Sequence, residues 1–318
     1  MEKSRQVLHD IVTNIEKVIV GKTDIIKLMV ISLACDSHVL IEDVPGVGKT
    51  TLVSALAKSI NGSFNRIQFT PDVMPSDITG FSMYNQKDNE FEFHKGIVMG
   101  NILLADEINR TPPKTQSSLL EAMEEKQVTV DGKTHDLPRP FMVLATQNPI
   151  EYLGTYPLPE AQIDRFIMKI SIGYPKESEE QKILELYEHE NPFEQLKPIA
   201  SCDDIIYLQN KVKDIYCCDR IMNYIIKLVN MTRQSQDLLL GASPRGSLYL
   251  LISAKALALY EGREFVIPDD VKEVFLPVIS HRLILRNEAK FNKITSDKIL
   301  LDIMKQVDVP TGDYHEKK

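Results

Sequence analysis

Apolar positions recur at helical spacing over residues 7–19, where Val7, Leu8, Ile11, Ile15, Val18 and Ile19 fall on one face. Val20-Gly21-Lys22 breaks that run, and a second helix is predicted over 24–34. Short apolar runs then alternate with helical segments. Residues 39–42 read as a strand, a helix carrying Leu52, Ala55 and Leu56 follows Lys49, and 64–69 alternates apolar with polar. Residues 101–105 and 141–145 are almost wholly apolar, as strands covered on both faces of a parallel sheet should be. Another alternating run, 166–172, leads to Gly173-Tyr174-Pro175. Strands separated by helices predict an α/β sandwich with ligands at the C-terminal ends of the strands.

Two stretches interrupt the alternation as hairpins, with inserts predicted near 78–97 and 127–138. In the first, apolar runs flank the polar tip Asn85-Gln86-Lys87-Asp88-Asn89; in the second, they flank Asp131-Gly132, whose glycine suits a tight turn. Each is either surface decoration or a functional projection. After Pro175 the pattern is helical, with helices predicted at 177–190, 203–214, 219–235, 245–260, 269–279 and 295–306 and no convincing strand. The chain is therefore expected to divide into an α/β domain, 1–175, and an all-helical domain, 176–318.

Composition narrows the function classes. Hydrophobic residues make up 43% and charged ones 26%, ordinary for a soluble globular protein, and the formal net charge of −8 leaves no strong case for nucleic-acid binding. The longest apolar stretch, 249–260, is broken by Ser253 and Lys255 and is too short to span a bilayer, so no membrane segment is expected. The N-terminus lacks the apolar core of a signal peptide. Cys35, Cys202, Cys217 and Cys218 show no C-x-x-C spacing, and the adjacent pair reads as helix residues, so a reducing cytoplasm is the expected setting.

The chemistry concentrates at strand ends. Val39-Leu40-Ile41-Glu42-Asp43-Val44-Pro45-Gly46-Val47-Gly48-Lys49-Thr50-Thr51 is a strand, a tight glycine loop and a helix start. That order lets backbone amides curl round phosphates while a lysine and a hydroxyl complete the cradle. Asp43 stands where the general phosphate-loop pattern has glycine. Ile102-Leu103-Leu104-Ala105-Asp106-Glu107 delivers two acids from an apolar strand, Asp106 placed to hold Mg²⁺ through water and Glu107 to polarise an attacking water. Ala145-Thr146-Gln147-Asn148-Pro149 ends the next strand with an amide that orients water or contacts a γ-phosphate, although Asn-Pro is also a plain turn signal. Arg165 precedes a strand and Arg245 starts a helix; each is either a stabiliser of phosphoryl charge or a surface ion pair.

In this order the motifs resemble the AAA+ ATPases. The wording of Glu42–Thr50, of Leu104-Ala105-Asp106-Glu107-Ile108-Asn109-Arg110, of Leu119-Leu120-Glu121-Ala122-Met123-Glu124-Glu125 and of Leu158-Pro159-Glu160-Ala161-Gln162-Ile163-Asp164-Arg165-Phe166 is similar to the MoxR family, from about residue 20 to 286. Asp43 looks normal for that family, whereas Ile97 departs from an expected Gly-Pro. The resemblance implies a parallel five-stranded P-loop core sandwiched by helices, with a C-terminal helical lid. It implies that ATP or ADP is held by Val20, Gly21, Pro45, Gly46, Val47, Gly48, Lys49, Thr50 and Thr51, and Mg²⁺ by Thr50 and Asp106. Lys49 would contact the β- and γ-phosphates, Glu107 act as general base and Asn148 sense the γ-phosphate. Arg165 would act in trans on a neighbour's ATP, and Arg245 report nucleotide state to the lid. The hairpins would face the channel of a homo-oligomeric ring, a hexamer. The implied activity is ATP hydrolysis driving remodelling or assembly of a protein client, in some relatives one carrying a von Willebrand factor A domain. The rival readings are a nucleic-acid motor, against which the acidic balance counts, and a non-hydrolysing nucleotide switch, against which Glu107 and Arg165 count.

Overall fold

Residues 1–148, 155–188, 191–312, 314 and 315 are described by a computed structural model; Pro149 and the last two residues of the helix expected over 177–190 lie outside them. In chain order the strands are β1 (Val39–Glu42), β2 (Phe64–Gln68), β3 (Gly80–Asn85), β4 (Glu90–Lys95), β5 (Ile102–Asp106), β6 (Gln127–Val130), β7 (Lys133–Asp136), β8 (Met142–Gln147), β9 (Met168–Ile170), β10 (Leu238–Leu240) and β11 (Ile284–Leu285). The α-helices are α1 (Glu2–Glu16), α2 (Thr23–Ala34), α3 (Lys49–Ser59), α4 (Pro75–Thr79), α5 (Pro113–Glu125), α6 (Glu160–Ile163), α7 (Glu177–Tyr187), α8 (Pro192–Gln195), α9 (Cys202–Asp214), α10 (Asp219–Gln234), α11 (Pro244–Tyr260), α12 (Pro268–Ile279), α13 (Asn287–Phe291) and α14 (Ser296–Gln306).

The two-residue period of the central strands sorts their side chains into two cores. Val39, Ile41, Ile102, Leu104, Met142 and Leu144 join one, while Leu40, Leu103, Ala105, Val143 and Ala145 join the other on the opposite face. The first core takes in α1, α2 and α3 and runs on through Leu250, Leu257, Val271 and Phe275 of the C-terminal helices. The second is closed by Leu119, Leu120 and Met123 of α5 together with Phe69, Leu158 and Phe166. The sheet is wholly parallel, in the order β2-β5-β8-β1-β9. Three chemistry-bearing strands, β5, β8 and β1, are thus consecutive neighbours whose C-terminal ends share one edge.

Both hairpins form as separate antiparallel pairs, β3 with β4 and β6 with β7. Phe93 of the first stacks on His135 of the second at 3.9 Å between ring centroids, so the two project together.

Several expectations need correction. The first helix starts at Glu2 and ends at Glu16, leaving Val18 and Ile19 in the turn beyond it. Helices α4, α5, α6, α8 and α13 lie where the hydrophobic pattern predicts none. The C-terminal part does contain strands: Leu238–Leu240 pairs antiparallel with Ile284–Leu285, a partner too far along the chain to be seen in local periodicity. Cys217 and Cys218 are not helix residues but lie buried in the segment before α10, with Cys218 in extended geometry at its N-cap. Burial pushes the Cys217 thiol up to about 12, an inert state. Among the described residues, no helix is long and apolar enough to cross a membrane.

Candidate active site

β1 runs into the loop of residues 43–48, and α3 opens at Lys49 with Gly48 as its N-cap. Gly46 and Gly48 take φ of 85° and 87°, and a Cβ at either would meet nothing within 4 Å. Glycine is therefore required there by backbone geometry alone. The turn directs successive amides at the start of α3, where the helix dipole also favours an anion. Lys49 Nζ donates to the carbonyls of Asp43 and Val44 at 3.3 Å each, which holds the ammonium over the loop. Thr50 and Thr51 occupy the first turn of α3, half-buried, and Pro45 is exposed on the loop.

Asp43 acquires a reason. Its carboxylate is buried and accepts from the amides of Ile172 and Gly173, the latter at 3.1 and 3.2 Å. It ties the start of the phosphate loop to the strand exit after β9, a bond that glycine could not make. Between these tethered segments lies a cavity of about 190 Å³ lined by Val18, Val20, Val47, Gly173, Ile183 and Tyr187, among others. Its mostly apolar wall beside the phosphate loop suits a planar base. Larger clefts, of about 230, 510, 520 and 710 Å³, lie elsewhere and include no phosphate-loop residue. Val20 and Lys22 line this cavity on either side of Gly21, whose φ of 72° and the approach of the Glu179 side chain show that it packs the 20–22 turn against α7.

Along the same edge β5 ends in Asp106, and Glu107 follows it. Asp106 is buried, accepts from Thr146 Oγ1 at 3.2 Å and pairs with Arg66 Nε at 2.8 Å. Glu107 has φ of 55°, a left-handed conformation that costs a non-glycine residue roughly 1–2 kcal/mol. Its amide donates to Thr146 Oγ1 at 2.9 Å, and its carboxylate meets Gln68 Nε2 at 2.5 Å and Arg110 Nε at 3.2 Å. One threonine hydroxyl from β8 thus sets both acids. Asn148 follows β8, buried, between the acids on one side and the phosphate loop on the other.

Among the described residues, no group of three or more His, Cys, Asp or Glu forms a protein cage for a metal. Both Asp106 oxygens already have partners, so this donor set fits Mg²⁺ carried by phosphates and held through water, with the Thr50 hydroxyl as the second hard oxygen.

Arg165 and Arg245 meet on a single acid. Arg165 Nη2 lies 2.8 Å and Arg245 Nη2 3.1 Å from the two carboxylate oxygens of Glu124, at the end of α5. This trio stands where the strands begin: Ile167 N donates to His38 O, and His38 Nε2 bonds Met123 O beside Glu124. The phosphate loop stands where β1 ends, a strand length of roughly 13 Å away.

Residues 38–168 match the ATPase family associated with various cellular activities (AAA), and 230–303 match the AAA lid domain. The chain is 42% identical to Chaperone MoxR1 of Mycobacterium tuberculosis over 95% of its own length and 82% of that protein's. The chain belongs to the MoxR family of AAA ATPases. It is also 53% identical to Uncharacterized protein YeaC of Bacillus subtilis over 97% of both chains. A crystal structure of a candidate ATPase from Cytophaga hutchinsonii is similar at a TM-score of 0.91, with 40% identity over 97% of this chain and 96% of that one. The five-stranded parallel sheet and C-terminal helical lid are those of the AAA fold.

Within this MoxR-family frame, the structure brings Lys49, Thr50, Asp106, Glu107 and Asn148 to one edge of the sheet. It sets Arg165 and Arg245 at the other. Arg245, paired with Glu124, thus stands at the opposite end of the strands from this chain's own phosphate loop. Arg66 and Gln68 escape motif reading altogether, and Arg110, Glu124 and Thr146 lie inside the quoted motifs without a role read for them. The first two come from β2, whose adjacency to β5 is a matter of strand order, and Thr146 was legible only as a neighbour of Asn148.

Proposed function

We propose that this chain hydrolyses ATP at sites shared between neighbouring subunits of a ring and uses the cycle to remodel a protein client. The observation that carries this reading is the separation of the machinery over two edges of one sheet. A subunit that carries phosphate cradle and acids at one edge and paired arginines at the other builds whole sites only by head-to-tail contact, which forms a ring when its rotation closes. A hexamer is the family expectation.

In the proposed mechanism, the amides of the 43–48 loop and Lys49 bind the phosphates, and the base lies against Val20 and Val47. Glu107, held by Gln68, Arg110 and the Thr146 hydroxyl, accepts the proton of the attacking water, which Asn148 orients. Bound Mg²⁺, reached by Thr50 and through water by Asp106, would neutralise charge on the β- and γ-phosphates. Arg165 and Arg245 of one subunit leave Glu124 and stabilise charge on the phosphoryl group bound by the next. Their exposed pairing with Glu124 is the kind worth at most about 1 kcal/mol, so the exchange is cheap.

A protein client is supported by the chaperone name of the mycobacterial relative. It is also supported by the first hairpin, where Phe81, Met83, Tyr84 and Phe91 are exposed. Apolar surface of this kind, on a chain of net charge −8, favours polypeptide over nucleic acid. Glu107→Gln should retain ATP binding while phosphate release falls about 100-fold or more. An undiminished release rate would remove Glu107 from the role of base.

A further inference from the structure

Arg282 is almost wholly inside the protein, with a side chain 1% exposed, on the 3₁₀ turn after α12. A buried guanidinium is costly unless every donor has a partner. Here the partners are concentrated on one short segment. Nε faces Asp164 Oδ1 at 2.8 Å, as a close ion pair without hydrogen-bond alignment. Nη2 donates to the carbonyls of Asp164 at 3.2 Å and Phe166 at 2.6 Å, and Nη1 to those of Ile167 at 3.3 Å and Val278. Burial lowers the guanidinium to about 10, with Asp164 opposing the shift, so it remains charged at neutral pH.

Other lid residues close on the same segment. Tyr249 OH donates to the Arg165 carbonyl at 3.2 Å while its ring lies 5.0 Å beneath the Arg282 guanidinium. Ser243 Oγ donates to Asp164 Oδ2 at 2.9 Å, and His281 Nε2 lies 3.1 Å from the Phe166 carbonyl. The backbone on both sides of Arg165 is thus held by the lid. Sheet contacts alone do not fix it, because β9 starts only at Met168.

We propose that Arg282 is a positioning residue for Arg165, clamping the Asp164-Arg165-Phe166 backbone to the lid so that lid and arginine move as one body. Any displacement of the lid is thereby transmitted to the arginine that serves the neighbouring subunit's site. This rests on the trans role proposed above for Arg165. A lysine keeps the charge opposite Asp164 but lacks the planar fork that reaches four carbonyls at once.

Rings mixed at fixed ratio from wild-type subunits and catalytically silent Glu107→Gln subunits provide the test. The silent subunits are made in three forms: unchanged, with Arg165→Ala, or with Arg282→Lys. Since none hydrolyses ATP itself, any difference among mixtures reports only service to a wild-type neighbour. Matched incorporation and an unchanged KM of the wild-type sites are checked alongside. In an equal mixture about half of the wild-type sites have a silent neighbour, so Arg282→Lys subunits, which slow each such site about 10- to 100-fold by misplacing a charge by about an ångström, are expected to lower kcat about two-fold relative to the unchanged form. If Arg165→Ala subunits depress the rate and Arg282→Lys subunits do not, the clamp is overturned while the shared site stands. If neither depresses it, the shared site itself fails. Should Arg282→Lys not fold, Tyr249→Phe, which removes one hydroxyl from the Arg165 carbonyl, replaces it; a rate equal to the unchanged form then overturns the clamp.

Discussion

Asp43 binds two backbone amides at the exit from β9, and restoring glycine, the residue of the general phosphate-loop pattern, would leave both buried donors unpaired. The expected cost is about 1–3 kcal/mol for each amide that finds no water. Asp43→Gly should therefore lower Tm by several degrees and weaken nucleotide binding, because the base cavity is walled by the segments that Asp43 ties together. A Tm equal to wild type would show that the bond carries no stability. At this scale the sequence was informative wherever the chemistry is contiguous, as in Gly46-Val47-Gly48-Lys49-Thr50 and Asp106-Glu107. It was silent on Asp43's partners, which lie more than a hundred residues away, and on why the glutamate after β5 tolerates a left-handed φ.

His38 joins three elements. Its Nδ1 accepts from Val143 N at 3.0 Å on β8, its Nε2 donates to Met123 O at 3.1 Å on α5, and it stands at the entry to β1. Only a neutral ring can do both. Burial, followed by the nearby Lys126 charge, lowers its pKa from 6.5 to about 4, with the Met123 bond opposing. Burial, then the Arg282 charge, holds His281 well below 6.5. The unfolded chain takes up these protons first as pH falls, so the stabilisation is complete above about pH 6.5 and is lost on acidification towards pH 4. The slope is up to about 1.4 kcal/mol per pH unit for each ring. Tm should fall between pH 7 and pH 5, and less steeply in His38→Gln; parallel curves for the two proteins would contradict the assignment. Elements with a strong apolar run or period, such as β5 and α9 respectively, were legible from the sequence. Strands β10 and β11 were not, because three and two residues carry no period and their pairing is non-local.

The molecule as a whole places the glycine loop and the acids at one end of the sheet's strands and the paired arginines at the other, and the proposed mechanism rests on that separation. Motif order alone identified the phosphate loop, the acids and the arginines. Only strand order and the position of Glu124 revealed that Arg165 and Arg245 stand together at the end remote from their own loop. The lid's grip on the Asp164–Phe166 segment was equally invisible, because it joins residues more than 75 positions apart. In the proposed mechanism a complete site needs two subunits. Arg165→Ala and Glu107→Gln subunits, each inactive alone, should regain ATP turnover when mixed in equal amounts, with about a quarter of random head-to-tail interfaces carrying an intact cradle and an intact arginine. A mixture as inactive as its components, in rings shown to contain both, would contradict the account.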